Sequence, residues 1–304
     1  MSEELPAAAE ATVPGARSAG TWGSVLSCQE LAAISGVGFA PVGHVFGAAV
    51  FAAGSASGSS CPGAAGSPGG VLPARPAAQV PARGDPGGFG PLVEAMYQAR
   101  RAAVDRMTAE CAALGGHGVV GVRLSRGGFF LGGLEFTAIG TAVRAAGAAG
   151  LRVPFTSALS GQDFARLITA GWVPAGLVLG IAIGSRHDDR PTARQARPWS
   201  GNAEMAGWTE LVNQTRRDAG RQLAQDVQRL GADGVVTADM RMRVRERACP
   251  AAVGRRDHIV EVTLVGTAIA SFADAGHRPA GPALAVMPLG PQRSQAIWPR
   301  QGQH

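Results

Sequence analysis

The sequence predicts an α+β protein built from two homologous domains in tandem. Three observations carry this reading. Short blocks recur in the same order in the two halves of the 304 residues. Each half holds one long run of apolar residues at three- and four-residue steps, and each such run is flanked by apolar, Gly-containing segments of strand type.

The repeat sets the frame. Leu26-Ser27-Cys28-Gln29-Glu30-Leu31-Ala32 returns as Leu159-Ser160-Gly161-Gln162-Asp163-Phe164-Ala165, an offset of 133. At that offset Gly38, Pro41, Gly43, Val45 and Gly47 meet Gly171, Pro174, Gly176, Val178 and Gly180. Leu114-Gly115 and Gly118-Val119-Val120 match Leu230-Gly231 and Gly234-Val235-Val236 at an offset of 116. Gly140-Thr141-Ala142-Val143 matches Gly266-Thr267-Ala268-Ile269 at 126. The offset changes only between blocks, as loop insertions would make it.

Each copy then reads alike. It opens on a strand or strand pair containing Pro-x-Gly, over 37–51 and 171–183. A variable loop follows, Gly/Ser/Pro/Ala-rich over about 52–88 in copy one and over about 184–206 in copy two. The first of these is too poor in large apolar residues to pack and is expected to be flexible. An amphipathic helix comes next, marked by Val93, Met96, Val104, Met107, Cys111 and Leu114 in copy one. Copy two repeats it with Leu211, Thr215, Ala219, Leu223, Val227 and Leu230. Leu-Gly closes both helices, where glycine can take the left-handed cap. Two strands complete each unit, over 119–124 and 134–143, and over 235–240 and 259–269. A helix on one face of a small, mainly antiparallel sheet is the expected architecture. The first domain spans 21–147 and the second 148–274, between tails over 1–20 and 275–304 that are Pro/Gly/Ala-rich and expected to be disordered.

Composition narrows the function classes. With 46% hydrophobic residues the chain can bury a core, and 16% charged residues excludes charge-driven disorder. The net charge is +6, and every basic residue is arginine. Arg241, Arg243, Arg245 and Arg247 alternate with other residues, which puts them on one face of a strand. No aromatic residue interleaves with them, so a dedicated nucleic-acid binder is rejected. The acidic start at Glu3-Glu4 is no secretory signal. The uncharged runs over 36–56 and 167–184 are broken by Pro and Gly and read as buried strands rather than membrane spans. The expected setting is the cytoplasm, with reduced thiols. Cys28, Cys61, Cys111 and Cys249 form no C-x-x-C pair. No nucleophile elbow or phosphate loop is present, and no catalytic pair is placed in both copies, so an enzyme is not expected.

Ala99-Arg100-Arg101, Arg106-Met107, Glu110, Leu114-Gly115, Val119-Val120-Gly121-Val122 and Gly140-Thr141-Ala142-Val143 follow one another in copy one. Thr215-Arg216-Arg217, Asp226, Leu230-Gly231-Ala232-Asp233, Val235-Val236 and Gly266-Thr267-Ala268-Ile269 do so in copy two. In that order these motifs resemble the YbjQ-like family, whose usual description is "putative heavy-metal-binding". The resemblance implies dodecin-like α+β domains that assemble as pentameric rings. Two linked copies would then give a homo-oligomer, a pentameric ring or two stacked rings of five, with further copies of the chain as its partner. It also implies a divalent or soft metal ion as a possible ligand. Copy one departs from the pattern in its Leu-Gly-Gly-His-Gly stretch, and both copies carry long insertions.

Candidate site residues follow from the repeat. Glu135 and Glu261 stand at one point of the last strand in both copies, followed on the same face by Thr137 and Thr263. They are metal or small-ligand candidates, or ion-pair partners of Arg100, Arg101, Arg216 and Arg217 across a subunit interface. His117 and Asp233 stand at equivalent helix-to-strand turns, where each can bind a metal or simply cap the turn. Cys111 is the natural thiol ligand, yet its counterpart is Val227, which reads as a core position. A third reading is a regulatory interaction protein that recruits partners through its 52–88 loop and C-terminal tail.

Overall fold

A computed structural model describes residues 23–52, 89–128, 133–147, 153–187, 190–195, 201–202, 204–248 and 256–272. The first domain comprises α1 (Cys28–Gly36), β1 (Phe39–Ala52), α2 (Gly90–Ala113), β2 (Gly118–Gly128) and β3 (Gly133–Ala145). The second comprises β4 (Phe155–Thr156), α3 (Gly161–Thr169), β5 (Trp172–His187), α4 (Arg190–Gln195), α5 (Ala206–Arg229), β6 (Gly234–Ala248) and β7 (Arg256–Ser271). The expected flexible loop over 52–88 and both tails lie outside the described residues, apart from Ala52, which closes β1.

Each sheet places its last strand in the centre, in the orders β1-β3-β2-β4 and β5-β7-β6. All pairings are antiparallel except that β4 joins β2 in parallel. The second half of the chain thus contributes a strand to the first domain's sheet, past the expected border at 147. Residues 184–187 continue β5 and α4 follows, so part of the stretch expected to be loop over 184–206 is regular structure.

The Pro-x-Gly motif does not turn the chain. The pairing slips between Pro41 and Gly43 and again between Pro174 and Gly176, so each motif is a β-bulge in one continuous strand. Proline is tolerated there because β1 and β5 are edge strands. The two short helices α1 and α3 were not expected. Ser27 caps α1, its hydroxyl accepting from the Glu30 N–H while the Glu30 carboxylate accepts from the Ser27 N–H. Ser160 caps α3 in the same way towards the Asp163 N–H.

The long helices α2 and α5 lie on one face of their own sheets, against alternate residues of the first strands. Gly47 sits against the Ala103 carbonyl and Gly180 against the Ala219 carbonyl, so each helix touches the strand backbone. Glu110 and Asp226 accept from the Phe46 and Leu179 N–H groups, at 2.7 and 3.2 Å, and satisfy donors on the bulged edge strands. Gly115 and Gly231 end the helices with φ of 73° and 63°.

One contact joins the domains at their centre. The Tyr97 hydroxyl on α2 donates to the Leu179 carbonyl (3.4 Å) and accepts from the Ile181 N–H (2.8 Å). Tyr97→Phe removes the hydroxyl that serves both groups in a buried setting. A loss of about 1–3 kcal/mol is expected, read as a lower urea midpoint at unchanged slope.

Candidate assembly interface

Buried charged groups and apolar side chains gather where the domains meet. In β5, Val178, Ala182 and Gly184 alternate towards α5, whereas Leu177, Leu179, Ile181 and Ile183 point the other way. That second face packs on the outer side of α2, in one apolar cluster with Tyr97, Met96, Val104 and Val265. Helix α2 is therefore buried on two sides, between its own sheet and that of the second domain. The order of layers is first sheet, α2, second sheet, α5.

Charged groups line this junction. Arg126 on β2 donates bidentately to Glu261 on β7 at 2.8 and 3.2 Å, with side chains 8% and 12% exposed. Arg100 is buried and lies 5.2 Å over the Phe136 ring. Its pKa is pushed down to about 10, chiefly by burial and then by the neighbouring Arg126 charge, with Glu261 opposing both. At neutral pH the guanidinium remains charged. A cavity of about 20 Å³, the size of one water, is lined by Arg100, Arg126, Arg241, Arg243 and Glu261. Arg101 stacks on Tyr97 at 5.7 Å and lies 4.0 Å from Asp226 of α5.

The residues singled out from the sequence fall into distinct places. Arg100 and Arg101 stand at the junction between the domains. Their counterparts Arg216 and Arg217 are exposed on the outer side of α5, with Arg217 donating to Gln214 at 2.7 Å. Glu261 is committed to Arg126, with Arg245 at 3.7 Å, while Glu135 is half-buried on the outer face of the first sheet.

His117 and Asp233 act as equivalent turn locks. The His117 Nδ1 accepts from the Ala145 N–H at 3.2 Å, and an Asp233 carboxylate oxygen accepts from the Ser271 N–H at 2.8 Å. Hydrogen bonds from the Ser271 backbone and hydroxyl hold the Asp233 carboxyl below the usual range.

Among the described residues no three His, Cys, Asp or Glu side chains converge. With His117, Asp233 and Glu261 each spent on another partner, this donor set does not fit a metal ion within one chain. Cys111 is buried, donates to the Gly118 carbonyl at 3.4 Å, and burial pushes its pKa to about 12. It is a neutral thiol, unsuited to metal or nucleophilic chemistry. Iodoacetamide is accordingly expected to leave Cys111 unmodified in the folded protein and to label it only in denaturant, as peptide mapping would show. Among the described residues no helix is long and apolar enough to cross a membrane.

Tyr97 and Arg126 were not singled out from the sequence. For Tyr97 a signal existed: α2 carries Tyr97 and Val104 where α5 carries Asn213 and Gly220, so only α2 has an apolar outer side. Arg126 corresponds to Met242, and comparison of the copies gives no sign of its partner.

The family model described as "Putative heavy-metal-binding" matches residues 86–146 and 173–271. The chain is also 35% identical, over 225 residues, to the encapsulin nanocompartment protein Rv1762c of Mycobacterium tuberculosis (strain ATCC 25618 / H37Rv). That alignment covers 70% of this chain and 75% of the relative. No solved structure shows significant similarity.

Proposed function

Since the chain belongs to this YbjQ-like family, we propose that it is a non-enzymatic scaffold that assembles with copies of itself into a ring in the cytoplasm. The observation that carries the reading is the junction itself: two homologous domains already associate through a sheet face and a helix face, as subunits of an oligomer would. The five-chain, stacked-ring arrangement assigns the two domains to separate rings. Their direct sheet-to-helix packing favours placing both in one ring instead. The relative's name ties that protein to an encapsulin nanocompartment, and we extend this association to the present scaffold.

Native mass spectrometry of untagged protein, prepared without chelator, tests the reading. Discrete multiples of the 30.8 kDa chain without stoichiometric metal are expected. A bare monomer overturns the scaffold, and integral chelator-sensitive metal per chain replaces it with a metal-handling protein. Co-sedimentation with a co-expressed encapsulin shell is the expected sign of the association, and its absence removes that part.

A further inference from the structure

The junction inside the chain uses two faces, and each has a counterpart that none of the described residues covers. On β1 the residues equivalent to Leu177, Leu179, Ile181 and Ile183 are His44, Phe46, Ala48 and Val50. Phe46 and Val50 are 47% and 49% exposed, whereas Leu179 and Ile183 are buried. On α5 the residues equivalent to buried Tyr97 and Arg100 are Asn213 and Arg216, both exposed. Beside them Met240, Met242 and Val244 are about half exposed on the α5 side of β6.

A groove repeats the pattern. In the first domain the edge of β2 is stitched by residues 155–159. The Val122 N–H donates to the Ser157 carbonyl and the Gly121 N–H to the Leu159 carbonyl. The Gly161 N–H then donates to Glu30, bringing α3 against α1. In the second domain the same edge, Val236 to Ala238, borders an open groove of about 360 Å³ shared with Leu159, Asp163 and Leu167.

We propose that a second copy of this chain fills these places, its first domain docking on the second domain of its neighbour as the two domains dock within the chain. The face bearing Phe46 and Val50 would cover α5 and Met242, and residues 23–28 would enter the groove along β6. Two charge pairings support that register. Glu135, the counterpart of Glu261, would meet Arg216, and Glu110, the counterpart of Asp226, would meet Arg217. Size matches too: Glu30 faces Gly161 inside the chain, and the shorter Asp163 would face the bulkier Cys28 between chains.

The contact is heterologous, one patch against a different patch, so it closes only as a ring. Each chain supplies two successive units, so the ring holds an even number of domains. This inference rests on the scaffold reading and specifies its surface.

Two full-length variants test it. Phe46→Asp with Val50→Asp blocks the sheet face, and Met242→Asp with Arg216→Glu blocks the helix face. Each alone is expected to reduce the assembly to the mass of one chain. Mixed in equal amounts they should form a dimer and nothing larger, because one intact face of each kind remains. That dimer also shows both variants folded. Variants that assemble like the wild type overturn the docking while leaving the scaffold intact. Monomeric variants that fail to pair overturn its head-to-tail character. A monomeric wild type removes the scaffold and the docking together.

Discussion

Replacing Glu261 with Gln is expected to cost about 3–5 kcal/mol, the usual penalty for breaking one side of a buried ion pair. The substitution leaves Arg126 without its bidentate acceptor, in a site where its side chain is 8% exposed. It also removes the negative charge that offsets Arg100, whose cation is already opposed by burial and by Arg126. The loss should appear as a large fall in urea midpoint. Removing both partners, Arg126→Met with Glu261→Leu, should cost much less, because Arg126 is no longer left without its acceptor and Arg100 loses an opposing cation together with the carboxylate that offset it. Equal losses for single and paired substitutions would mean that the pair contributes only its volume.

Gly47→Ala is expected to destabilise by about 3 kcal/mol, the upper end for overpacking a tight core. A Cβ there would overlap the Ala103 carbonyl and come within 2.6 Å of the Met107 nitrogen. Both atoms belong to the backbone of α2, so relief requires moving a helix that is clamped between two sheets. Gly180→Ala should behave alike against Ala219. Gly36→Ala is the control: nothing lies within 4 Å of its added carbon, and a neutral or slightly positive change is expected. Thermal or urea unfolding of the three variants measures the contrast.

The duplication was legible in the sequence as ordered blocks, and the structure extends it to individual hydrogen bonds. Ser24 and Ser157, at the offset of 133, reach Thr141 and Thr267 at the offset of 126, and the N–H groups of the following residues, Val25 and Ala158, donate to the same threonines. These matches survive because each involves small residues in tight places, where few others fit. The short helices were missed although Ser27-x-x-Glu30 is a capping box, since nine residues carry little periodic signal. The bulges were missed because Pro-x-Gly also writes a turn, and only strand pairing separates the two.

In the sequence the paired arginines read as lining an interface between subunits, whereas Arg100 and Arg101 stand at a junction between two domains of one chain and Arg216 and Arg217 are exposed. Which of them would be buried depended on the second sheet lying over α2, a contact between distant segments that no local pattern encodes. The alternation of β5 held a clue: Leu177 to Ile183 is apolar on both faces, the mark of a strand covered on both sides. On β1 the same positions include His44 and Ala48, and Phe46 and Val50 between and beyond them are about half exposed.

The chain's own junction has a consequence for dilution. Ala145 at the end of β3 and Phe155 at the start of β4 are ten positions apart, so a separated domain pair stays within a short tether's reach. A tether of that length holds the partner at an effective concentration in the millimolar range. Domains that part will therefore meet again far more often than free chains do. In the proposed assembly, dilution should break only the junctions between chains and release whole two-domain chains, so that one dissociation constant governs a particle containing two kinds of contact.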